Sequence, residues 1–509
     1  MAQLTSQRRL ALAVPVVLSL TASLGFLPGA ASAAAGTAPA ASAAQAAEGP
    51  ELSYVVNTRT DRHTLSAVQR AVSAAGGTIV VTYDKIGVIV AHSTNPGFAT
   101  ALRAVPGVQS AGATRHAPLP AQSTTDVGTP KALTADEVAH AKAADGQDPL
   151  EPLQWDLPAI KADKAHERTL GSRRVTVAVI DTGVDDTHPD IAPNFNRDAS
   201  ANCVSGKPDT TEGSWRPTAE ESPHGTHVAG EIAGAKNGVG ITGVAPGVRV
   251  AGIKVATTAG YIYTEAVVCG FMWAAGHHVD VTNNSYYTDP WYFNCASDPD
   301  QKALAEAITR ASQYAERKGT VNVAAGGNDG YDLDAASITD PVSPNDGTPS
   351  DRVIDPHQCF AIPTQLPGVV TVASTGAKGL KSSFSNYGLG VIDVAAPGGD
   401  STAYQAPAPP ATSGKILGPL PGGKWGYMSG TSMATPHVVG VAALIKSTHP
   451  DASAAMVKAL LYAEADGTAC TDPYDIDADG TIDAVCKGSK NHNGFYGWGT
   501  VNALKAVSW

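Results

Sequence analysis

Arg174-Val175-Thr176-Val177-Ala178-Val179-Ile180 runs almost without a polar break into Asp181-Thr182-Gly183. A strand with one wet face alternates apolar and polar residues. One that does not alternate is covered on both faces, as in a parallel sheet packed between helices. The expected fold is therefore α/β, a doubly wound and mostly parallel sheet. In such sheets chemistry collects beyond the carboxyl ends of the strands, which is where this run places the Asp181 carboxylate.

Two later blocks have the same compact character. In His224-Gly225-Thr226-His227-Val228-Ala229-Gly230 the small residues let a helix pack closely behind His224. Gly430-Thr431-Ser432-Met433-Ala434-Thr435-Pro436-His437 leads into the helical pattern Val438–Ile445. Pro436 fits a first helical turn, where its missing N–H costs nothing. Ser432 then stands at the positive end of that helix. Each block is weak alone; together, in the order Asp, His, Ser, they are specific. A serine hydroxyl is a poor nucleophile until a neighbouring base takes its proton. His224, with an ordinary pKa near 6.5, suits that task, and Asp181 would orient the imidazole and stabilise its cation.

These blocks resemble the active-site motifs of the subtilisin-like serine proteases, the subtilases. The resemblance spans roughly residues 151–509 and extends to the ending Gly497-Trp498-Gly499-Thr500-Val501-Asn502-Ala503. It implies Asp181, His224 and Ser432 as the catalytic residues of an acyl-enzyme mechanism. It also implies Asn328, in Val323-Ala324-Ala325-Gly326-Gly327-Asn328-Asp329, as a donor to the oxyanion beside the Ser432 N–H. Ser285-Tyr286-Tyr287 and Ala325-Gly326-Gly327 would be the two extended segments flanking the P1 side chain of a polypeptide substrate, binding it by β-augmentation. The family usually has glycine where Tyr287 stands, which reshapes the pocket and argues against broad specificity. Asp329 either attracts a basic P1 residue or is simply a solvated acid.

The resemblance implies no cofactor for catalysis, but calcium as a structural ion. Asp190 and Asn237 would supply side chains, Ala235, Val239 and Ile241 carbonyls, and Glu151 would stand where the family often has Gln. An oxygen-only set on irregular loops suits a hard ion. A second calcium candidate is Asp475, Asp477, Asp479 and Asp483, with Gly480 at the sixth position. Its twelfth position is Cys486 rather than Glu, so a plain acidic surface loop is the alternative. Gly238-x-Gly240-x-x-Gly243 matches a dinucleotide fingerprint but follows a helical pattern rather than a strand, and fails on context. His224 and His227 lack a third ligand with zinc-site spacing, so His227 is read as structural. There is no GxSxG elbow of the α/β-hydrolase kind.

Upstream, Arg8-Arg9, the apolar run Leu10–Leu27 and Ala31-Ser32-Ala33 form a sorting signal over residues 1–33. An Ala/Pro-rich linker follows over 34–50. Residues 51–116 read β-α-β-β-α-β: strands at Ser53–Thr58, Thr78–Thr82, Ile86–Ala91 and Val108–Ala113, and helical stripes Leu65/Val68/Val72 and Phe98/Ala101/Leu102/Val105. This is a small α+β split βαβ (ferredoxin-like) module. On composition alone it is either a free-standing module or a pro-segment. It resembles the inhibitory pro-domain that precedes many subtilases, which would make it an intramolecular inhibitor. Residues 117–150 read as a polar linker and processing region without periodicity, and 151–509 as the catalytic domain. Against a minimal family member, 196–222, 330–360 and 400–425 are insertions.

All six cysteines follow residue 200, and an even count behind a sorting signal reads as up to three disulfides. Cys470–Cys486 is the local pair expected, Cys269 is equally readable as a buried thiol, and the other pairings stay open. Residues 117–509 carry 27 basic against 43 acidic side chains. That acidic body excludes a nucleic-acid partner, and no later stretch reaches the roughly 18 apolar residues of a membrane span. The reading is a secreted, monomeric, autoprocessed endopeptidase. Its rivals are a catalytically silent binding or scaffold protein on the same fold, and a processing protease of narrow specificity.

Overall fold

The computed structural model describes residues 49–116, 129–471, 473–476 and 479–508. The expected sorting signal, most of the Ala/Pro-rich linker and Asp477 lie outside them.

In the N-terminal module, β1 (Leu52–Thr58), α1 (Arg62–Ala74), β2 (Gly77–Tyr83), β3 (Val88–Ser93), α2 (Phe98–Arg103) and β4 (Val108–Ala113) follow one another. The strands form an antiparallel sheet in the order β2-β3-β1-β4. Asp61 caps α1 by accepting the Thr64 N–H (2.9 Å). The period of two decides which neighbour each strand residue meets. Tyr54, Val56 and Ile89 pack under α1 and α2 with Leu65, Val68, Val72, Phe98 and Leu102. Val55, Val88 and Val90 point the other way, into the core of the large module. In α2 it is Ala99, not Ala101, that turns inward.

The large module opens with β5 (Lys131–Ala132) and α3 (Ala135–Ala139), then the short helices α4 (Asp156–Ala159) and α5 (Ala162–His166). Next come β6 (Thr176–Asp181), β7 (Ala201–Asn202), α6 (His224–Ala233), β8 (Arg249–Lys254), α7 (Thr264–Gly276) and β9 (Val281–Asn284). After β10 (Asn294–Cys295) and α8 (Pro299–Arg317) lies β11 (Val321–Ala325). The short strands β12 (Ile338–Asp340), β13 (Arg352–Ile354) and β14 (Cys359–Phe360) lead to β15 (Val370–Thr375) and β16 (Val394–Pro397). The hairpin strands β17 (Ile416–Leu420) and β18 (Lys424–Met428) precede the helices α9 (Thr431–Thr448) and α10 (Ala454–Glu464).

Seven strands make one sheet in the order β16-β15-β11-β9-β6-β8-β7, each adjacent pair parallel. β6 is the expected doubly covered strand. Val177 and Val179 pack with residues of α6, α9 and α10 on one face, Ala178 and Ile180 with α7 and α8 on the other. α8 begins at Asp298, which accepts the N–H groups of Asp300 and Gln301, with Pro299 at its first position.

The N-terminal module sits on α8. Asn57 Nδ2 donates to the Ala303 carbonyl (2.8 Å), the Arg310 guanidinium donates to the Thr58 (2.7 Å) and Ile86 (3.0 Å) carbonyls, and Arg103 pairs with Asp300. A Cβ on Gly112 would lie 2.8 Å from the Asp300 backbone, so glycine is needed for this approach.

Residues 129–150, read as linker, are built into the large module. β5 adds to β18 through Lys131–Tyr427 and Ala132–Gly426, and Asp148 and Leu150 are buried. The disulfides are Cys203–Cys269, Cys295–Cys359 and the expected Cys470–Cys486. Cys269 is thus not a free thiol: it ties the 196–222 segment, through Cys203, to α7. All three bonds lie within the large module.

Candidate active site

Asp181 closes β6 and is fully buried. Its Oδ1 accepts the Thr182 N–H (2.7 Å) and lies 2.7 Å from His224 Nδ1. His224 opens α6, and the close approach is possible because the next residue is glycine. A Cβ on Gly225 would lie 2.4 Å from the Gly183 carbonyl and 3.1 Å from Asp181 Cβ.

Ser432 is the second residue of α9, behind Gly430. Its Oγ lies 3.2 Å from the Ser285 carbonyl, just past the end of β9. Pro436 lies beyond the first turn of α9, deeper than the sequence suggested. A residue there would ordinarily donate to the carbonyl four positions back, that of Ser432. The Ser285 hydroxyl donates to this carbonyl instead, at 2.9 Å. The proline's cost is thereby offset by a bond that fixes the serine's backbone against β9.

Asn328 follows β11. Its Oδ1 accepts both the N–H (2.8 Å) and the hydroxyl (2.9 Å) of Thr431, so the carboxamide is oriented with Nδ2 as its donor end. Gly430, whose hypothetical Cβ would stand 3.4 Å from that Nδ2, keeps the approach open. The chain thus brings a carboxylate, an imidazole, a hydroxyl and a carboxamide donor from β6, α6, α9 and β11 to one end of one sheet.

The two expected substrate segments behave differently. In Ala325-Gly326-Gly327 the Gly326 N–H donates to the Val372 carbonyl (2.9 Å) and the Gly327 N–H to Thr431 Oγ (3.0 Å). The Gly326 carbonyl accepts Asn386 Nδ2 (3.0 Å). These backbone groups are used internally, so this segment is a wall rather than a free strand edge. Ser285 and Tyr286 are buried, and the Tyr286 hydroxyl donates to Asn284 Oδ1 (3.1 Å). Tyr287 is the side chain of the three that reaches the surface. It packs on Tyr292 at 4.7 Å, and its hydroxyl accepts Asn345 Nδ2 (3.1 Å). Burial raises the pKa of Asp329, which hydrogen-bonds the Tyr292 hydroxyl.

Glu151, Asp190, Ala235, Asn237, Val239 and Ile241 do meet. Asp190 Oδ2 accepts from Ile241 N–H (3.1 Å) and Trp425 Nε1 (2.6 Å), and the Asp190 carbonyl accepts the Ala235 N–H (2.7 Å). Asn237 Oδ1 accepts the Val239 N–H (3.1 Å), and Thr242 Oγ bonds Glu151 (3.2 Å). Burial pushes the Asp190 pKa up to about 7, and among the described residues its Oδ1 has no hydrogen-bond partner. Asp148, which sequence reading missed, enters this loop and accepts the N–H groups of Asn237 (3.3 Å) and Gly238 (2.6 Å). Among the described residues no group of three or more His, Cys, Asp or Glu is arranged to hold a metal ion.

Of the second acidic loop, Asp475, Asp479 and Asp483 are described. Asp475 accepts the N–H groups of Asp479 and Gly480, Asp479 that of Thr481, and Asp483 that of Ile476. His227 is structural as expected: it lies 2.7 Å from Glu231 and 3.1 Å from the Gly426 carbonyl, and burial lowers its pKa to about 3.

A model of the subtilase family matches residues 172–499. The chain belongs to the subtilase family. M-protease of Shouchella clausii is 31% identical over 322 residues, 63% of this chain and 67% of that protein. Subtilisin Savinase of Lederbergia lenta is 30% identical over 322 residues, 63% of this chain and 94% of that protein. Among solved structures, the epidermin leader peptide processing serine protease of Staphylococcus aureus superposes with a TM-score of 0.63 at 24% identity. That match covers 90% of this chain and 98% of that one. Fervidolysin of Fervidobacterium pennivorans gives 0.60 at 24%, covering 91% of this subtilase and 62% of that chain. The family is one of serine peptidases, and both structural matches share the fold. Among the described residues no helix is long and apolar enough to cross a membrane.

Proposed function

We propose that this subtilase is a secreted serine endopeptidase made as a precursor, with Asp181, His224 and Ser432 as its catalytic residues. The observation that carries the reading is the buried 2.7 Å contact of Asp181 with His224, at the sheet end where Ser432 opens α9 beside Asn328. His224 takes the Ser432 proton as the hydroxyl attacks the scissile carbonyl, then protonates the leaving amine. Asp181 holds the ring so that Nδ1 carries its proton toward the carboxylate. Asn328 Nδ2 and the Ser432 N–H stabilise the tetrahedral oxyanion, and water then hydrolyses the acyl-enzyme.

The N-terminal module acts as the inhibitory pro-domain until it is cut off. Both flanks of 117–128 are tied down, by Arg115 and His116 on one side and β5 on the other. The cut is proposed between these two anchored segments, which would leave β5 on the mature enzyme. Calcium is proposed at Asp190, whose buried Oδ1 has no hydrogen-bond partner among the described residues; with Asn237 and the carbonyls of Ala235, Val239 and Ile241 it would hold the ion, which would supply charge neutralisation to the loop and no catalytic step.

Intact mass and N-terminal sequencing of the secreted protein, wild type beside Ser432→Ala, test this reading, together with fluorophosphonate labelling. Wild type should lose the module and label at Ser432, and Ser432→Ala should do neither. Equal trimming of both, without labelling, refutes the proposal.

A further inference from the structure

The last described residues of the N-terminal module pack against two acids of the large module. Arg115 pairs with Glu265, and its guanidinium lies over the Tyr263 ring at 4.5 Å. The His116 N–H donates to Asp346 Oδ2 (2.8 Å), its Nδ1 lies 3.3 Å from Asp346 Oδ1, and its ring meets Trp291 edge-on at 5.0 Å. With the module in place the two acids are buried: the Glu265 side chain is 1% exposed and that of Asp346 0%. Among the described residues Glu265 Oε2 has no hydrogen-bond partner.

Through Asn345, Asp346 adjoins Tyr287 of the second expected substrate segment. Asn345, next to Asp346, donates through Nδ2 to the Tyr287 hydroxyl (3.1 Å) and to Asp289 Oδ1 (2.6 Å).

In the precursor the two carboxylates are paired with Arg115 and His116, and when the module departs Glu265 and Asp346 lose both partners and are opened to another cationic segment. We infer that this acidic pair is a recognition site for polypeptides carrying Arg followed by His or another cationic residue upstream of the bond to be cut. The pro-segment occupies it first and the substrate afterwards. The inference rests on the peptidase reading and narrows it to a substrate class: extended segments with two adjacent bases upstream of the scissile bond.

The test uses the processed wild-type enzyme and two peptides. One has the sequence of residues 110–132, and the other carries Arg115→Ala and His116→Ala. The native peptide should be cut with a kcat/KM about tenfold or more higher, as expected when a buried charge pair is restored. In enzyme carrying Glu265→Gln and Asp346→Asn the ratio between the two peptides should collapse toward one. If that variant fails to fold, the two peptides on the unmodified enzyme decide alone. A wild-type ratio within about twofold, or a ratio unchanged in the variant, overturns the inference while leaving the peptidase reading intact. Protein that neither matures, labels at Ser432 nor cuts any peptide overturns both.

Discussion

Replacing Gly225 by Ala should disable the site while leaving the fold nearly intact. Glycine to alanine inside a helix is ordinarily worth about 0.5–1 kcal/mol in stability. Here the new Cβ would stand 2.4 Å from the Gly183 carbonyl, a backbone atom that cannot swing aside. Restoring an ordinary contact requires α6 to withdraw from the Asp181-Thr182-Gly183 turn by about 1 Å. The 2.7 Å His224–Asp181 hydrogen bond would then stretch beyond hydrogen-bonding range. A 1 Å misplacement costs roughly 10²-fold, and a wrongly held imidazole up to about 10⁴-fold. The expected fall in kcat/KM lies between those limits. The assays are peptide hydrolysis and the rate of fluorophosphonate labelling at Ser432, with thermal unfolding in parallel. Gly276→Ala, at the end of α7 where a Cβ meets nothing within 4 Å, is the control and should keep full activity. Gly225→Ala enzyme labelled within about threefold of wild type would refute the reasoning.

Asn328→Ala should lower kcat by roughly 10²–10³ with little change in KM, a magnitude taken from the equivalent donor in subtilisin, a relative; steady-state kinetics check it, and a loss confined to KM would argue against an oxyanion role. Lys381 is buried, 5.0 Å and 5.3 Å from the rings of Tyr474 and Tyr387, and burial pulls its pKa down to about 7. The unfolded chain therefore binds more protons between about pH 7 and 10.5, so stability is lowest below 7 and rises with pH across that window. Lys381→Met should raise the Tm at pH 6 and flatten its rise toward pH 10, measured on Ser432→Ala protein to prevent autolysis. Removing Cys470–Cys486, which spans 16 residues, should cost about 3 kcal/mol. Removing Cys203–Cys269, which spans 66, should cost about 4 kcal/mol. Denaturant unfolding would rank the two, and the reverse order would show that native-state contacts rather than loop length dominate.

How much of this was legible beforehand varied with the kind of signal. Val177–Ile180 betrays a doubly covered strand because four consecutive apolar residues have no wet face, and Asp181 is visible as the residue that ends it. The pattern of the N-terminal module is equally local: Tyr54, Val56 and Val55 differ in destination by parity alone. Asp148 escaped notice because its setting, a polar stretch without periodicity, carries no local mark of burial. The Ser285–Ser432 bond had a trace in Pro436, but assigning that proline to the first turn hid the carbonyl it leaves without a donor. Arg115–Glu265 and His116–Asp346 join residues 150 and 230 positions apart. Only the tertiary fold makes such pairs, so composition could report the acidity of the body but not where it would be spent.

None of the three disulfides reaches the N-terminal module, so nothing covalent would hold it once the chain is cut. On the precursor reading, cleavage discards the surface that covered α8 and leaves a cross-linked body behind. The mature protein would then be defined by how slowly it unfolds rather than by an equilibrium it can revisit. Its useful lifetime would be a rate set by those cross-links, and a denatured sample would not be expected to regain activity unless the departed module were added back.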